Sequence, residues 1–122
     1  AASERGLGAG EGATLNVPMA AGTGDREWVD ALEGPMTKAV DAFRPQLVLV
    51  SAGFDAHAED PLSETLVSVE GYRRMTEVVA DWALRHSGSR IVSLLEGGYN
   101  LDALARSVEA HVTSLRATPG RS

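Results

Sequence analysis

Two loops contain the residues best suited to chemistry, and each loop directly follows an apolar segment. The loop "SAGFDAHAEDPL" contains Asp55 and His57, and the loop "EGGYNL" contains Tyr99 after Gly97 and Gly98. Carboxylate oxygen and neutral imidazole nitrogen are good zinc ligands, and residues i and i+2 of an extended backbone point the same way. A tyrosine beside two glycines can project its hydroxyl into a cleft and donate a hydrogen bond to a developing oxyanion.

Each of these sites has a plainer interpretation. Asp55 can cap backbone amides while His57 lies in solvent, and Tyr99 can pack its ring on the core. A catalytic zinc normally takes three protein ligands plus water, so an Asp-x-His pair is insufficient. Glu59 and Asp60 are possible further ligands, but "EDP" is equally a turn with an N-capping Asp. The glycine pair could cradle a phosphate, although "EGGYN" lacks a lysine and the G-x-G-x-x-G spacing.

Three segments are predicted to be strands: residues 13–19 ("ATLNVPM"), 46–51 and 90–95. The last two are apolar without polar alternation, which is typical of parallel strands covered on both faces. Ligands bind beyond the carboxyl ends of parallel strands. We therefore expect the two loops to meet at one edge of the sheet.

Helical spacing of apolar residues predicts a helix after each strand. The first runs from a cap at Thr23 or Asp25 to Phe43, and Gly34-Pro35 should kink it.

The second predicted helix is capped by Ser68 and ends at Gly88, and the third begins near Asn100 or Leu101. His111 lies on the apolar face of the third helix, where a buried, hydrogen-bonded structural histidine is the favoured interpretation. The order of strands and helices predicts an α/β fold with a parallel sheet flanked by helices.

Composition narrows the function classes. The 122 residues are 43% hydrophobic, which suits a packed domain or part of one. The net charge of −6 argues against a basic nucleic-acid surface, and the absence of cysteine excludes disulfides and thiolate metal sites. No apolar run approaches the roughly 20 residues that a bilayer span needs. With no apolar signal core at the start, we expect a soluble cytoplasmic protein.

The stretches "GEGATLNVPMAAGTGD", "RPQLVLVSAGFDAHAEDPL" and "LLEGGYNL", in this order and at these separations, resemble the histone deacetylase family. The resemblance is greatest to bacterial enzymes allied to class II deacetylases and acetylpolyamine amidohydrolases, and it extends over about residues 10–115. It implies the arginase–deacetylase α/β fold. Each motif alone is weak evidence, whereas their combination is specific.

The resemblance also implies a chemistry. Enzymes of this family use zinc to hydrolyse acetyl-lysine or related N-acetyl amides, with histidines as general base and acid. Asp55 matches the second carboxylate zinc ligand, and Tyr99 matches the tyrosine that donates to the tetrahedral oxyanion. Gly97 and Gly98 match the glycines that line the inner end of the substrate channel. His57 matches no zinc ligand of the family.

One departure from the family pattern is large. The family's tandem catalytic histidines and its own Asp-x-His zinc pair lie upstream of these motifs, and no "HH" occurs in this sequence. We therefore expect residues 13–117 to be the C-terminal part of a deacetylase domain, residues 1–12 a glycine-rich loop or fragment end, and residues 118–122 a flexible tail.

We expect such a segment to be inactive alone, with the remaining zinc ligands upstream. Acetylated lysine, acetylated polyamine and other N-acetyl amides all remain possible substrates, whereas neither nucleic acid nor membrane is an expected partner. An apolar surface exposed by the missing part would favour homo-oligomers or other association. Two other functions stay open: a non-catalytic α/β interaction module whose site residues are relics, and a nucleotide-binding protein that uses Gly97-Gly98.

Overall fold

The structure is a computed structural model, and it describes residues 1–117. Its elements are a short 3₁₀ turn (Gly8–Gly10), α1 (Asp25–Ala31), a π-helical turn (Leu32–Met36), α2 (Thr37–Phe43), β1 (Val48–Ala52), α3 (Val69–Ser87), β2 (Ile91–Leu95) and α4 (Leu101–Arg116). The predicted tail at 118–122 lies outside the described residues. None of the helices in residues 1–117 combines the length and apolar character that a membrane crossing requires.

The two strands form a parallel pair, as predicted. Val48 lies opposite Ile91, and the register continues to Ala52 opposite Leu95. Each strand begins one or two residues later than expected. Gln46 and Arg90 lie outside the strand ladder, because the Gln46 carbonyl accepts a hydrogen bond from the Arg90 side chain, through Nε at 3.0 Å.

The strand predicted at residues 13–19 is absent, and the described chain has two strands instead of three. Its backbone is used elsewhere, since the Thr14 N–H donates to the Arg5 carbonyl at 3.2 Å. Pro18 has no N–H to donate to a ladder. A cleft of about 340 Å³ lies between this segment and β1, lined by Leu15 and Val48 among others. An extended segment without a hydrogen-bonded neighbour is not a strand.

The helical region at residues 25–43 is interrupted at Gly34-Pro35, as predicted. Its middle is a π-helical turn that contains Pro35. Proline lacks the N–H of a regular helical turn and crowds the preceding one, so the wider turn accommodates it. The helix ends at Phe43, and Arg44 follows in the left-handed region with φ of 57°.

The cap of α1 differs from the prediction. Gly24 occupies the cap position, and the Glu27 side chain accepts its N–H at 2.9 Å. That backbone hydrogen bond lowers the pKa of Glu27. Asp25 does not cap its own helix, because its carboxylate accepts the N–H of Ser68 at 2.7 Å and also the Ser68 hydroxyl.

Ser68 caps α3, as predicted, and accepts the Gly71 N–H at 3.1 Å. The starts of α1 and α3 are thereby joined through Asp25. A Cβ atom on Gly71 would lie 2.1 Å from an Asp25 carboxylate oxygen, so this junction requires a residue without a side chain. The end of α3 also agrees with expectation, since Gly88 adopts φ of 56°.

The core lies on one face of the sheet, between the strands and the helices. It consists of buried Val29, Ala52, Phe54, Val67, Tyr72 and Met75. The expectation that both strands are covered on both faces is wrong for the described residues. Leu49 is 65% exposed, Val92 48% and Leu94 55%, because these side chains alternate onto the face that the helices do not cover.

His111 has the buried structural role that its position predicted. Its Nδ1 lies 2.8 Å from the Thr76 hydroxyl on α3, and its Nε2 lies 2.8 Å from the Ser93 hydroxyl on β2. The ring therefore joins α3, α4 and β2. Burial lowers the pKa of His111, because a charged ring is poorly solvated there.

We expect acid to destabilise the fold through His111. Since the pKa of folded His111 is lowered, the unfolded chain binds a proton more readily, and the free energy of unfolding falls as pH drops below about 6.5. The contribution of this one site reaches at most about 1.4 kcal/mol per pH unit. Urea unfolding from pH 7.5 to 5.5 measures it. The variant His111→Gln should show a shallower pH dependence than the natural chain.

His86→Gln is the matched control, because it removes a different helical imidazole and leaves His111 in place. It should retain the contribution of His111. Equal pH dependence in the natural chain and in His111→Gln would contradict the prediction.

Candidate active site

The two chemically rich loops meet at the carboxyl ends of β1 and β2. The Glu96 N–H donates to the Ala52 carbonyl at 3.0 Å, and the Phe54 N–H donates to the Gly97 carbonyl at 2.7 Å. Strand pairing therefore continues past the last ladder residues into the loops. This confirms that the loops share one rim, which is where parallel sheets place ligands.

Asp55 presents its carboxylate at this rim and is exposed. The carboxylate lies against two glycine backbones. A Cβ atom on Gly97 would lie 2.7 Å from Oδ2 of Asp55, and one on Gly53 would lie 3.0 Å from Oδ1. A side chain at Gly97 would thus displace the carboxylate, so this glycine is needed where the two loops come together.

The backbone behind Asp55 is anchored in the core. The Ala56 N–H donates to the Tyr72 hydroxyl at 3.1 Å, and the Thr65 hydroxyl donates to the Ala56 carbonyl at 3.0 Å. The Tyr72 ring packs on Phe54 with a centroid distance of 5.0 Å. Burial raises the pKa of Tyr72, so its phenol stays neutral at physiological pH. These contacts hold the loop that carries the exposed carboxylate.

His57 does not accompany Asp55 at the rim. A turn at residues 55–56 ends the extended backbone that would have placed both side chains on one side. His57 is only 4% exposed, and its Nδ1 accepts the Glu59 N–H at 3.0 Å. It is a buried loop residue, contrary to the interpretation that placed it in solvent.

Tyr99 lies on the same rim, in the other loop, and is 56% exposed. Its backbone is tightly constrained. Gly98 precedes it with φ of 143°, and a Cβ atom there would lie 2.7 Å from Cδ1 of Leu104 and 3.3 Å from Cβ of Phe54. Asn100 follows it and caps α4 by accepting the Ala103 N–H at 3.0 Å, and the helix begins at Leu101, within the predicted range.

Asp60 joins the two loops, and sequence reasoning identified only half of its contacts. Its Oδ1 accepts the Leu62 N–H at 2.9 Å, which is the turn that "EDP" predicted. Its Oδ2 accepts the Tyr99 N–H at 2.7 Å, across the two loops, and the residue is 6% exposed. No local pattern predicts the second contact, because the two residues are far apart in the chain.

Glu59 links the same loops at the surface. Its carboxylate pairs with Arg106 at 2.7 Å, which lowers the pKa of Glu59, and its carbonyl accepts Nδ2 of Asn100 at 3.0 Å. In the structure, Glu59 and Asp60 therefore serve to hold the loops together. Their predicted use as further metal ligands gains no support from these contacts.

Within residues 1–117 no three side chains of His, Cys, Asp or Glu lie together so as to hold a metal ion. The histidines are used in other contacts: His57 with the Glu59 backbone, His86 with Asp41 at 2.7 Å, and His111 with two hydroxyls. Asp55 and Glu96, one from each loop, are exposed carboxylates at the rim. The described residues thus supply exposed carboxylates at the rim but not a complete metal site.

The amino-acid sequence is similar to those of known proteins. The family model described as "Histone deacetylase domain" matches residues 1–115. The chain is 43% identical over 91 residues to the histone deacetylase-like amidohydrolase of Pseudomonas aeruginosa, covering 75% of this chain and 24% of that protein. It is 40% identical over 106 residues to the chloroplastic histone deacetylase 14 of Arabidopsis thaliana, covering 87% and 25%. The chain therefore spans about a quarter of the length of these relatives.

Solved structures show the same similarity in three dimensions. The HDA15 HD domain superposes with a TM-score of 0.88 and 37% sequence identity, over 99% of this chain and 33% of that one. The histone deacetylase Clr3 superposes with a TM-score of 0.87 and 34% identity, over 99% and 20%. With nearly every residue matched by the family model and by both folds, the chain belongs to the histone deacetylase family.

Proposed function

We propose that this chain is the C-terminal segment of a zinc-dependent deacetylase domain that hydrolyses acetyl-lysine or a related N-acetyl amide. Membership of the histone deacetylase family supports an amidohydrolase activity. One observation supports the placement of the site above all others. The hydrogen bond between Phe54 and Gly97 brings the exposed Asp55 carboxylate next to the loop that carries the exposed Tyr99.

In this proposal the chain supplies two groups to the reaction, one metal ligand and one hydrogen-bond donor. A zinc ion, when bound, polarises the amide carbonyl and activates water. Asp55 is one of the carboxylates that hold it. The Tyr99 hydroxyl donates a hydrogen bond to the oxygen of the amide carbonyl as negative charge develops there.

Gly97 and Gly98 are proposed to line the inner end of the substrate channel. Support comes from their place between the metal carboxylate and the oxyanion donor. Both also have structural reasons to be glycine, since Asp55 fills the space beside Gly97 and Leu104 fills the space beside Gly98.

The remaining catalytic groups are proposed to come from outside residues 1–117. The described residues contain no three-ligand metal group, and their histidines are engaged in other contacts. The chain also covers only about a third of the solved HDA15 domain. We propose accordingly that residues 13–117 form the C-terminal part of the domain and that the chain is inactive alone.

The exposed face of the sheet fits the same proposal. Leu49, Val92 and Leu94 form an apolar surface that the helices leave uncovered. We propose that the rest of a complete deacetylase domain covers this surface, and that copies of the isolated chain associate through it. A cytoplasmic location is part of the same proposal. Acetylated lysine, acetylated polyamine and other N-acetyl amides remain the candidate substrates.

Replacing Tyr99 by Phe tests the oxyanion role. In a complete deacetylase domain containing this chain, Tyr99→Phe removes one hydroxyl and should lower kcat by a factor on the order of 10²–10³. Metal content should not change, because the residue is not a proposed ligand. Steady-state hydrolysis of an acetyl-lysine peptide, with metal analysis of the same sample, measures both. Unchanged turnover would refute the role.

Asp55→Asn tests the metal role in the same domain. The loss of a charged ligand should reduce zinc content and abolish most activity, because a metal site that loses a ligand binds its metal much more weakly. Glu59→Gln is the matched control, because it neutralises an exposed carboxylate of the same loop. Elemental analysis after gel filtration compares them. The proposal fails when Asp55→Asn retains zinc as well as Glu59→Gln does.

The isolated 122-residue chain should hydrolyse no acetyl-lysine peptide above the buffer rate, with or without added zinc. The physical reason is that a single carboxylate and an oxyanion donor supply neither a full metal site nor a general base. A fluorogenic deacetylation assay with an active deacetylase as positive control measures this. Zinc-stimulated turnover by the chain alone would overturn the proposal.

A further inference from the structure

We propose that Asp60 is a positioning residue that sets the placement of Tyr99, an inference that rests on the function proposed for Tyr99. Asp60 lies in the loop that carries Asp55, yet its carboxylate reaches the backbone of the other loop. Through it, the loop that presents the metal carboxylate also fixes the oxyanion donor. Asp60 touches neither substrate nor metal in this proposal.

The geometry requires both oxygens of Asp60. Oδ2 accepts the Tyr99 N–H at 2.7 Å, and Oδ1 accepts the Leu62 N–H at 2.9 Å. The residue is 6% exposed, so water cannot readily replace either bond. A carboxylate offers two acceptor oxygens, whereas an amide offers one acceptor and one donor. Asparagine at this position would therefore turn an NH₂ group toward one of the two backbone N–H groups.

The neighbours of Tyr99 in the chain explain why its hydrogen bond to Asp60 sets the position of Tyr99. On one side, the Gly98 backbone is confined by Leu104 and Phe54, and on the other, Asn100 is confined as the cap of α4. Between these two fixed residues, the Asp60 carboxylate holds the Tyr99 N–H itself. Its loss would let the peptide between Gly98 and Tyr99 rotate, and the phenol at the end of that side chain would move with it.

The exposed contacts between the loops are weaker candidates for this role. The pair Glu59–Arg106 joins the Asp55 loop to α4, but both side chains are more than half exposed, and such pairs contribute little. Glu59→Gln therefore provides a control that breaks an exposed ion pair of the Asp55 loop and leaves the Tyr99 N–H bonded to Asp60.

Amide hydrogen exchange tests the contact without any activity. In the chain as it stands, Asp60→Asn should accelerate exchange of the Tyr99 amide by about tenfold or more, while Glu59→Gln leaves it near the natural rate. Amides in the middle of α3 are the internal reference for global unfolding. Tyr99 exchange that stays unchanged in Asp60→Asn, or that accelerates only in step with α3, would overturn the inference.

A double-mutant cycle in a complete deacetylase domain then tests whether the contact acts through Tyr99. Asp60→Asn should lower kcat by about 10–100-fold with little change in KM and unchanged zinc content. In the Tyr99→Phe background the same substitution should have little further effect, because the hydroxyl that it would misplace is gone. Glu59→Gln should leave kcat within about threefold of the natural value.

The outcomes separate the two ideas. If Tyr99→Phe leaves kcat unchanged, the proposed function of Tyr99 fails, and the catalytic part of this inference fails with it. If Tyr99→Phe lowers kcat but Asp60→Asn does not, or if the two losses multiply fully in the double variant, only the positioning role of Asp60 is overturned.

Discussion

The parallel pairing of β1 with β2 is the interaction on which the rest of the structure depends. It aligns the two strand ends, and its hydrogen bonding continues into the loops through Phe54 and Gly97. Parallel strands place both of their carboxyl ends on one edge, so the pairing alone brings Asp55 and Tyr99 to a common rim. Packing of α3 and α4 on the covered face, with His111 bonded between α3 and β2, holds the strands in that register.

At the rim, hydrogen bonds and a glycine together allow the two loops to pack closely. Gly97 allows the Asp55 carboxylate to lie against the neighbouring loop, and Asp60 accepts backbone N–H groups from both loops. Buried carboxylates are costly unless every oxygen is hydrogen-bonded, and Asp60 meets that condition with two backbone donors. The Asp55 carboxylate remains exposed, while the buried Asp60 carboxylate holds the two loops together.

The packing of residues 1–117 is one-sided. Its core forms on one face of the sheet only, and Leu49, Val92 and Leu94 on the other face remain exposed. Histone deacetylase domains of known structure are about three to five times longer than the matched region. The chain thus matches only a part of those proteins, and the uncovered apolar face lies within that part.

The sequence by itself determined the local features: the helices, the cap at Ser68, the break at Pro35, the two apolar strands, and the family. These follow from spacing, propensity and short motifs, which act between residues close in the chain. The tertiary structure decided what residues 13–19 do, which face of the sheet is covered, that His57 is buried, and that Asp60 holds Tyr99. Each of these depends on a partner distant in sequence, and a hydrogen bond or a buried face exists only once folding has brought that partner within reach.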